Sequence, residues 1–293
     1  MAEERTHVLE EWDADARPLA IVTLEGGFRR VTAIHDYPDK PTKGASRPLY
    51  LCCDDESDYV VKFPMPQWPR SQFNEVIGAG LLRQMDAPAP DAVIVTIPPE
   101  LVAASTVLQQ RHVVAGDYFG TIRMPNPLDL SDAISKKLRP SMIVNRTEVA
   151  GIIAFDNWVK NTDRNDGNAL LVSSPGHNQP SFRLVAIDSG LILTGHAWTR
   201  ESLQAAASDR SIAPCHSFLV GCVWGREEFI PYCQAVEHIT ESSIRDVTSW
   251  IPSAWSFPEP DREAVIGFLS ARRSIIGEVL KAFPFTPDME PPA

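Results

Sequence analysis

The hydrophobic pattern of this chain changes period near Gly120, and that change limits the fold more than any other feature. Before it, apolar and β-branched residues come in short runs: Leu49-Tyr50-Leu51-Cys52-Cys53, Tyr59-Val60-Val61-Lys62-Phe63 and Ala92-Val93-Ile94-Val95-Thr96-Ile97. Bounded by Pro, Gly and Asp clusters, such runs read as strands. After it, residues 128–138, 146–160, 200–206, 216–235, 240–249 and 261–282 read as helices. In the last of these, Ile266, Phe268, Leu269, Ile276, Val279 and Leu280 lie largely along one side. Two short strands, 169–172 and 182–188, interrupt the helices. Strands first and helices second imply an α+β chain in two parts.

Within the β-rich part, residues 49–53 and 59–63 form a hairpin across the acidic turn Asp54-Asp55-Glu56-Ser57-Asp58. Two apolar runs within 19–34 flank Glu25-Gly26-Gly27 and read as strand, turn, strand. A helix starts at Ser71, which is placed to cap it, and carries apolar residues at 73, 76, 77 and 81. Residues 109–115 read as a further strand, with Gly116 as a hinge. The organisation expected is a charged tail over 1–18, an N-lobe over 19–115 and a helical C-lobe over 116–293.

Composition narrows the function. Lys and Arg number 27 against 38 Asp and Glu, a net charge of −11. That balance argues against a general nucleic-acid binder and against docking on anionic membrane, both of which favour basic surface. Neither a signal peptide nor an 18-residue apolar run is visible, so a soluble, cytoplasmic protein is expected. The five cysteines include no Cys-x-x-Cys pair. Cys215, His216, Cys222, Cys233 and His238 cluster loosely, but their gaps fit no common zinc spacing, and buried thiols are the better reading.

The chemistry concentrates in Phe155-Asp156-Asn157-Trp158-Val159-Lys160-Asn161-Thr162-Asp163-Arg164-Asn165-Asp166-Gly167-Asn168. A helix ends there, a polar loop follows, and Ile187-Asp188-Ser189-Gly190 closes a strand twenty residues beyond Asn168. Phosphoryl transfer from ATP needs a carboxylate beside the attacking hydroxyl, and an amide with a second carboxylate to hold Mg2+. Asp163, Asn168 and Asp188 supply that set in order. Taken alone, the loop is equally a solvated turn of Asn, Asp and Gly. Upstream, Lys62 ends a Val-Val-Lys strand and Glu75 follows thirteen residues later on a helix. A strand lysine held by a helix glutamate is how kinases position nucleotide phosphates. No Gly-x-Gly-x-x-Gly, Walker loop, His-Arg-Asp or Asp-Phe-Gly occurs. A phosphate loop would have to be Thr42-Lys43-Gly44-Ala45-Ser46-Arg47, with Lys43 and Ser46 toward the nucleotide, and a plain surface loop is as good a reading.

Asp163-Arg164-x-x-x-Asn168 resembles the catalytic loop shared by phosphoinositide kinases and HipA-type kinases. Lys43-Gly44-Ala45-Ser46-Arg47-Pro48, Tyr59-Val60-Val61-Lys62-Phe63, Asn74-Glu75, Phe155-Asp156-x-Trp158 and Ile251-Pro252-x-x-Trp255 extend the likeness over roughly residues 30–282. It is greatest to the compact HipA-like kinases. The resemblance implies a bilobal, atypical protein-kinase-like fold and a cleft binding ATP and Mg2+. It implies Lys62 on the phosphates, Glu75 as its partner, Asp163 as base, and Asn168 and Asp188 on the metal. Asp156 reads as a brace for the loop. The sequence departs from the family at Asn165, where the related loops usually carry His; Asn can hydrogen-bond but cannot take up a proton.

The expected function is therefore an ATP- and Mg2+-dependent Ser/Thr protein kinase, acting on a protein substrate or on its own Thr42 or Ser46. Two alternatives stand beside it: a catalytically inactive nucleotide-binding module, which Asn165 would suit, and a kinase for a small molecule or lipid. The sequence indicates no regulatory partner.

Overall fold

The computed structural model describes residues 26–37, 47–174 and 179–284. The tail over 1–18, the first strand expected within 19–34, and the loop bearing Thr42, Lys43 and Ser46 lie outside them.

Strands β1 (Arg29–Asp36), β2 (Leu49–Cys53), β3 (Asp58–Lys62), β4 (Ala92–Ile97) and β5 (Gly116–Ile122) close into a barrel in the order β1-β2-β3-β5-β4. The β1–β4 pair is parallel and the others antiparallel. Strand alternation sends Val31, Ala33, Leu51, Cys53, Tyr59, Val61, Val93 and Val95 into the barrel core. The same alternation turns Lys62 to the opposite face from Val61. There Ile94 and Phe119, the cross-strand partner of Lys62, pack toward helix α1 (Ser71–Gln84).

Helices α2 (Pro99–Ala104) and α3 (Thr106–Gln110) cover the barrel, so the strand expected over 109–115 is absent. The hydroxyl of Ser105 accepts the Leu108 N–H at 3.0 Å and caps α3, and His112 turns the chain with φ 54°. A capped start with Leu108 buried outweighs the β-branched residues that follow. The chain then enters β5 at Gly116, so the barrel runs on past residue 115 to Ile122. Ser71 is the first residue of α1 and not its cap; the cap position is Arg70.

Beyond the barrel come α4 (Leu130–Ser135), α5 (Val149–Trp158) and a three-stranded sheet of β6 (Leu128–Asp129), β7 (Ala169–Ser173) and β8 (Phe182–Ala186) in the order β6-β7-β8. They are followed by α6 (Arg200–Ala206), α7 (Ser217–Val220), α8 (Ile230–His238), α9 (Glu241–Ser249), α10 (Glu259–Arg273) and α11 (Ile276–Lys281). The single helix expected over 216–235 is broken: Gly225 is extended and Pro231 starts α8 afresh. The one expected over 261–282 divides at Ser274, whose hydroxyl bonds back to Ala271 O at 2.7 Å.

Every residue of α5 is buried, so it is the axis of this part. Its end is tied down by α10. The Trp158 indole N–H donates to Leu269 O at 2.9 Å, and the Arg272 guanidinium donates to the carbonyls of Trp158 (2.7 Å), Asn157 (2.6 Å), Ala206 (3.1 Å) and Asp209 (2.7 Å). These include carbonyls at the C-terminal ends of α5 and α6, where a cation complements the helix dipole. Burial pushes Arg272 down to about 10, with Asp209 acting against it.

Gly151 is where α5 meets α8: a Cβ there would lie 2.4 Å from Tyr232 Cε1. Gly151→Ala is expected to cost about 1–3 kcal/mol by overpacking. Gly267 lies on α10 with nothing within 4 Å, so Gly267→Ala should stabilise by up to about 1 kcal/mol. Denaturant unfolding of both variants checks the pair.

Candidate active site

Because β3 alternates, Lys62 leaves the barrel where α1 passes, and Glu75 stands one turn into that helix. Lys62 Nζ bonds Glu75 Oε1 and lies 3.1 Å from Asp188 Oδ1. Glu75 Oε2 accepts the Ser189 N–H at 3.1 Å, so one carboxylate holds both the lysine and the chain beside Asp188. This close approach needs Gly78: a Cβ there would sit 2.3 Å from Ser189 Cβ. Asp188 itself is left-handed, φ 61°, in the manner of strained backbone at functional sites.

Two acids share one base here, and their environments differ. Glu75 is almost fully buried, and desolvation pushes its carboxyl up to about 7 against the pull of Lys62. Asp188 is also desolvated, but Lys62, a hydrogen bond with Glu75 and the Gly190 N–H together outweigh that and hold it down at about 2. Burial acts to lower Lys62, yet Asp188 and Glu75 together raise it. The trio carries more acid than base, and Asp188, with 37% of its side chain exposed, is the acid turned toward solvent.

The second group is the loop after α5. Arg164 is buried and grips Asp156 with two bonds, Nε to Oδ2 at 2.8 Å and Nη2 to Oδ1 at 2.9 Å. Its Nη1 donates to Asn168 O and to Ile187 O, the latter at 2.7 Å. Asn161 Nδ2 donates to Asp156 Oδ1 at 2.8 Å, and its Oδ1 accepts the Asp163 N–H at 3.1 Å. Asp163, half-buried, has both oxygens engaged by amides: Asn165 Nδ2 at 2.8 Å from Oδ1 and Asn168 Nδ2 at 3.1 Å from Oδ2. Asn165 Oδ1 in turn accepts the Gly167 N–H at 2.8 Å.

The structure thus brings Lys62, Glu75 and Asp188 into contact, and Asp163 with Asn168. Pairing of β7 with β8 sets Asn168 beside Ile187, adjacent to Asp188, and Arg164 joins the two groups. Lys43 and Ser46 lie outside the described residues. Asp156 braces the loop. The sequence reading assigned no role to Arg164, Asn161 or Asn74. Arg164 is visible in the Asp-Arg-x-x-x-Asn pattern and Asn74 in the Asn74-Glu75 likeness; Asn161 has no signal beyond its residue type.

Asn168 turns its NH2 to Asp163, which leaves its Oδ1 for a cation, and Asp188 is the more exposed carboxylate. Hard oxygens of this kind suit Mg2+ completed by phosphate and water. Among the described residues no cluster of three or more His, Cys, Asp or Glu could hold a metal by itself, and no helix is long and apolar enough to cross a membrane.

A family model described as HipA-like kinase matches residues 34–276. In structure the chain is similar to the Helicobacter pylori proinflammatory kinase CtkA, with TM-score 0.60 and 15% identity over 86% of this chain and 96% of that one. It is also similar to HipA of Shewanella oneidensis MR-1, crystallised with HipB and operator DNA, with TM-score 0.48 and 13% identity over 97% and 74%. The likeness to CtkA identifies an α+β, kinase-like fold. No curated protein sequence matches the chain.

Arg164→Ala would strand the buried Asp156 carboxylate and is expected to cost about 3–5 kcal/mol of stability by denaturant unfolding. The raised Glu75 carboxyl favours the folded state at low pH and loses that advantage as pH climbs from 4.5 through about 7. Wild type should therefore lose Tm relative to Glu75→Gln across that window and run parallel to it above. Thermal melts at stepped pH measure this.

Proposed function

The chain belongs to the HipA-like kinase family, and on that premise we propose that it is an ATP- and Mg2+-dependent protein kinase acting on Ser or Thr hydroxyls. The observation that carries the reading is the joining of the Lys62–Glu75–Asp188 trio to Asp163 and Asn168 through Arg164. In this reading the barrel and the helical part are two lobes, with their boundary after Ile122, and ATP lies in the cleft between them.

Lys62, held by Glu75, offers its ammonium to the phosphates. Asp188 and Asn168 Oδ1 would hold Mg2+, which neutralises charge on the phosphate oxygens when bound. Asp163, oriented by two amides, accepts the proton of the incoming hydroxyl, and the Oγ–P bond forms as the bond to ADP breaks. Fixed donors and acceptors in a preorganised site lower the barrier without reorganising.

Asn165 bears on the alternative of an inactive module. It donates to Asp163 and accepts from Gly167, so it props the loop without needing a titratable ring. That supports retained catalysis. The acceptor in this reading is a protein hydroxyl, with Thr42 or Ser46 of the same chain among the candidates, and the acidic balance favours neither nucleic acid nor anionic membrane as partner. The free thiols of Cys52, Cys53, Cys215, Cys222 and Cys233 suit a reducing, cytoplasmic setting.

Incubation with γ-labelled ATP and Mg2+ tests the proposal. The wild type should become labelled or label an added protein, while Asp163→Asn and Lys62→Met should lose label by about a hundredfold or more. A folded wild type that binds no ATP would overturn it.

A further inference from the structure

Asn74 immediately precedes Glu75 on α1 and is fully buried. Its Nδ2 faces three carbonyl oxygens of the segment that follows Asp188: Gly190 at 2.9 Å, Ile192 at 3.1 Å and Gly195 at 3.1 Å. Its Oδ1 accepts the Trp198 indole N–H at 2.9 Å. One amide group therefore gathers four points along residues 190–198. It has two N–H bonds for three carbonyls, so at least one is shared.

That segment has no ladder of its own. Asp188, Leu193 and Thr194 take φ of 61°, 58° and 71°, and Gly195 takes 123°. Irregular backbone in a buried place must find partners for its polar groups. On one side they come from the loop after α5: the Thr162 N–H and hydroxyl donate to Leu191 O at 3.2 and 3.1 Å, and the Leu193 N–H donates to Val159 O at 2.8 Å. On the other side they come from Asn74. Its neighbour Glu75 holds Lys62 and the Ser189 N–H. The same turn of α1 thus grips the segment from within and the nucleotide lysine from without.

We propose that Asn74 is a positioning residue: it locks the segment after Asp188 to α1, so that Asp188 keeps its place beside Lys62. It acts through Asp188 and touches neither nucleotide nor acceptor. The proposal rests on the kinase reading above, in which Asp188 meets the metal. It makes the contribution of Mg2+ to nucleotide binding depend on a side chain that is nowhere near the metal's ligands in sequence.

Asn145 provides the comparison. It too is buried, donating to Leu184 O and accepting from the Leu184 N–H, both at 2.8 Å, but it has no bond to the segment after Asp188. ATP affinity is measured by calorimetry in EDTA and in excess Mg2+ for wild type, Asn74→Ala, Trp198→Phe and Asn145→Ala, with Tm recorded for each. Wild type should gain affinity with Mg2+. Asn74→Ala should lose about tenfold or more in Mg2+ but less than about threefold in EDTA. Trp198→Phe removes the donor to Asn74 Oδ1 while keeping an aromatic ring beside Arg70 and Phe257, and should shift the same way by less; it carries the test if Asn74→Ala does not fold. Asn145→Ala should lower Tm while leaving the gain from Mg2+ as in wild type. A wild-type gain in the Asn74→Ala protein (in Trp198→Phe, should Asn74→Ala not fold), or an equal loss in Asn145→Ala, overturns the proposal. Failure of the folded wild type to bind ATP under either condition overturns the kinase reading, and this inference with it.

Discussion

The buried pair of Arg164 and Asp156 is the interaction on which the rest of the site depends. A guanidinium out of water is costly unless its charge is matched or its N–H groups are all used. Asp156 supplies both, with two parallel bonds, and the carbonyls of Asn168 and Ile187 take the remaining reach of Nη1. The pair therefore fastens the last turn of α5, the end of the loop bearing Asp163, and the chain entering Asp188. A lysine could not do this, since a point charge lacks the planar fork. Arg272 performs a related task behind it, drawing the ends of α5 and α6 onto α10 through carbonyls alone.

On that frame sits a cluster in which two acids share one base. Lys62 is shared by a carboxyl that burial drives toward its neutral form and one that the lysine keeps ionised. The inequality has a structural origin: Glu75 is enclosed by α1 and the Ser189 backbone, whereas Asp188 faces the open side. An ionised acid at the exposed position suits a site that receives a divalent cation together with phosphate. Asn74 belongs to the same device, because it secures the segment that carries Asp188 to the helix that carries Glu75.

The sequence made the strands and the site residues legible to different degrees. Hairpin β2–β3, strand β4 and helix α6 stand close to where periodicity and turn residues put them, because each is decided locally. Residues 109–115 misled, since one hydroxyl cap at Ser105 and burial of Leu108 outweigh a β-branched run. The long helices expected over 216–235 and 261–282 hid breaks that single residues impose, Gly225 and Pro231 in one and Ser274 in the other. Among site residues, those with charged, chemistry-bearing side chains were readable by spacing. Asn161 was not, and Asn74 was marked only by its place beside Glu75, because a single amide that bonds a carboxylate or backbone carbonyls leaves no periodic mark.

By itself the sequence determined the order of a β-rich part and a helical part, the strand that ends in Lys62, and the loop from Asp163 to Asn168. Each of these follows from side-chain period and turn chemistry within a dozen or so residues. Only the tertiary structure decided that the strands close into a barrel ending at Ile122, that Arg164 joins two distant segments, and that Glu75 is raised while Asp188 is held low. The reason is physical: closure, ion pairing and desolvation depend on which surfaces meet, and residues 62, 75, 164 and 188 meet only after the chain has folded back on itself.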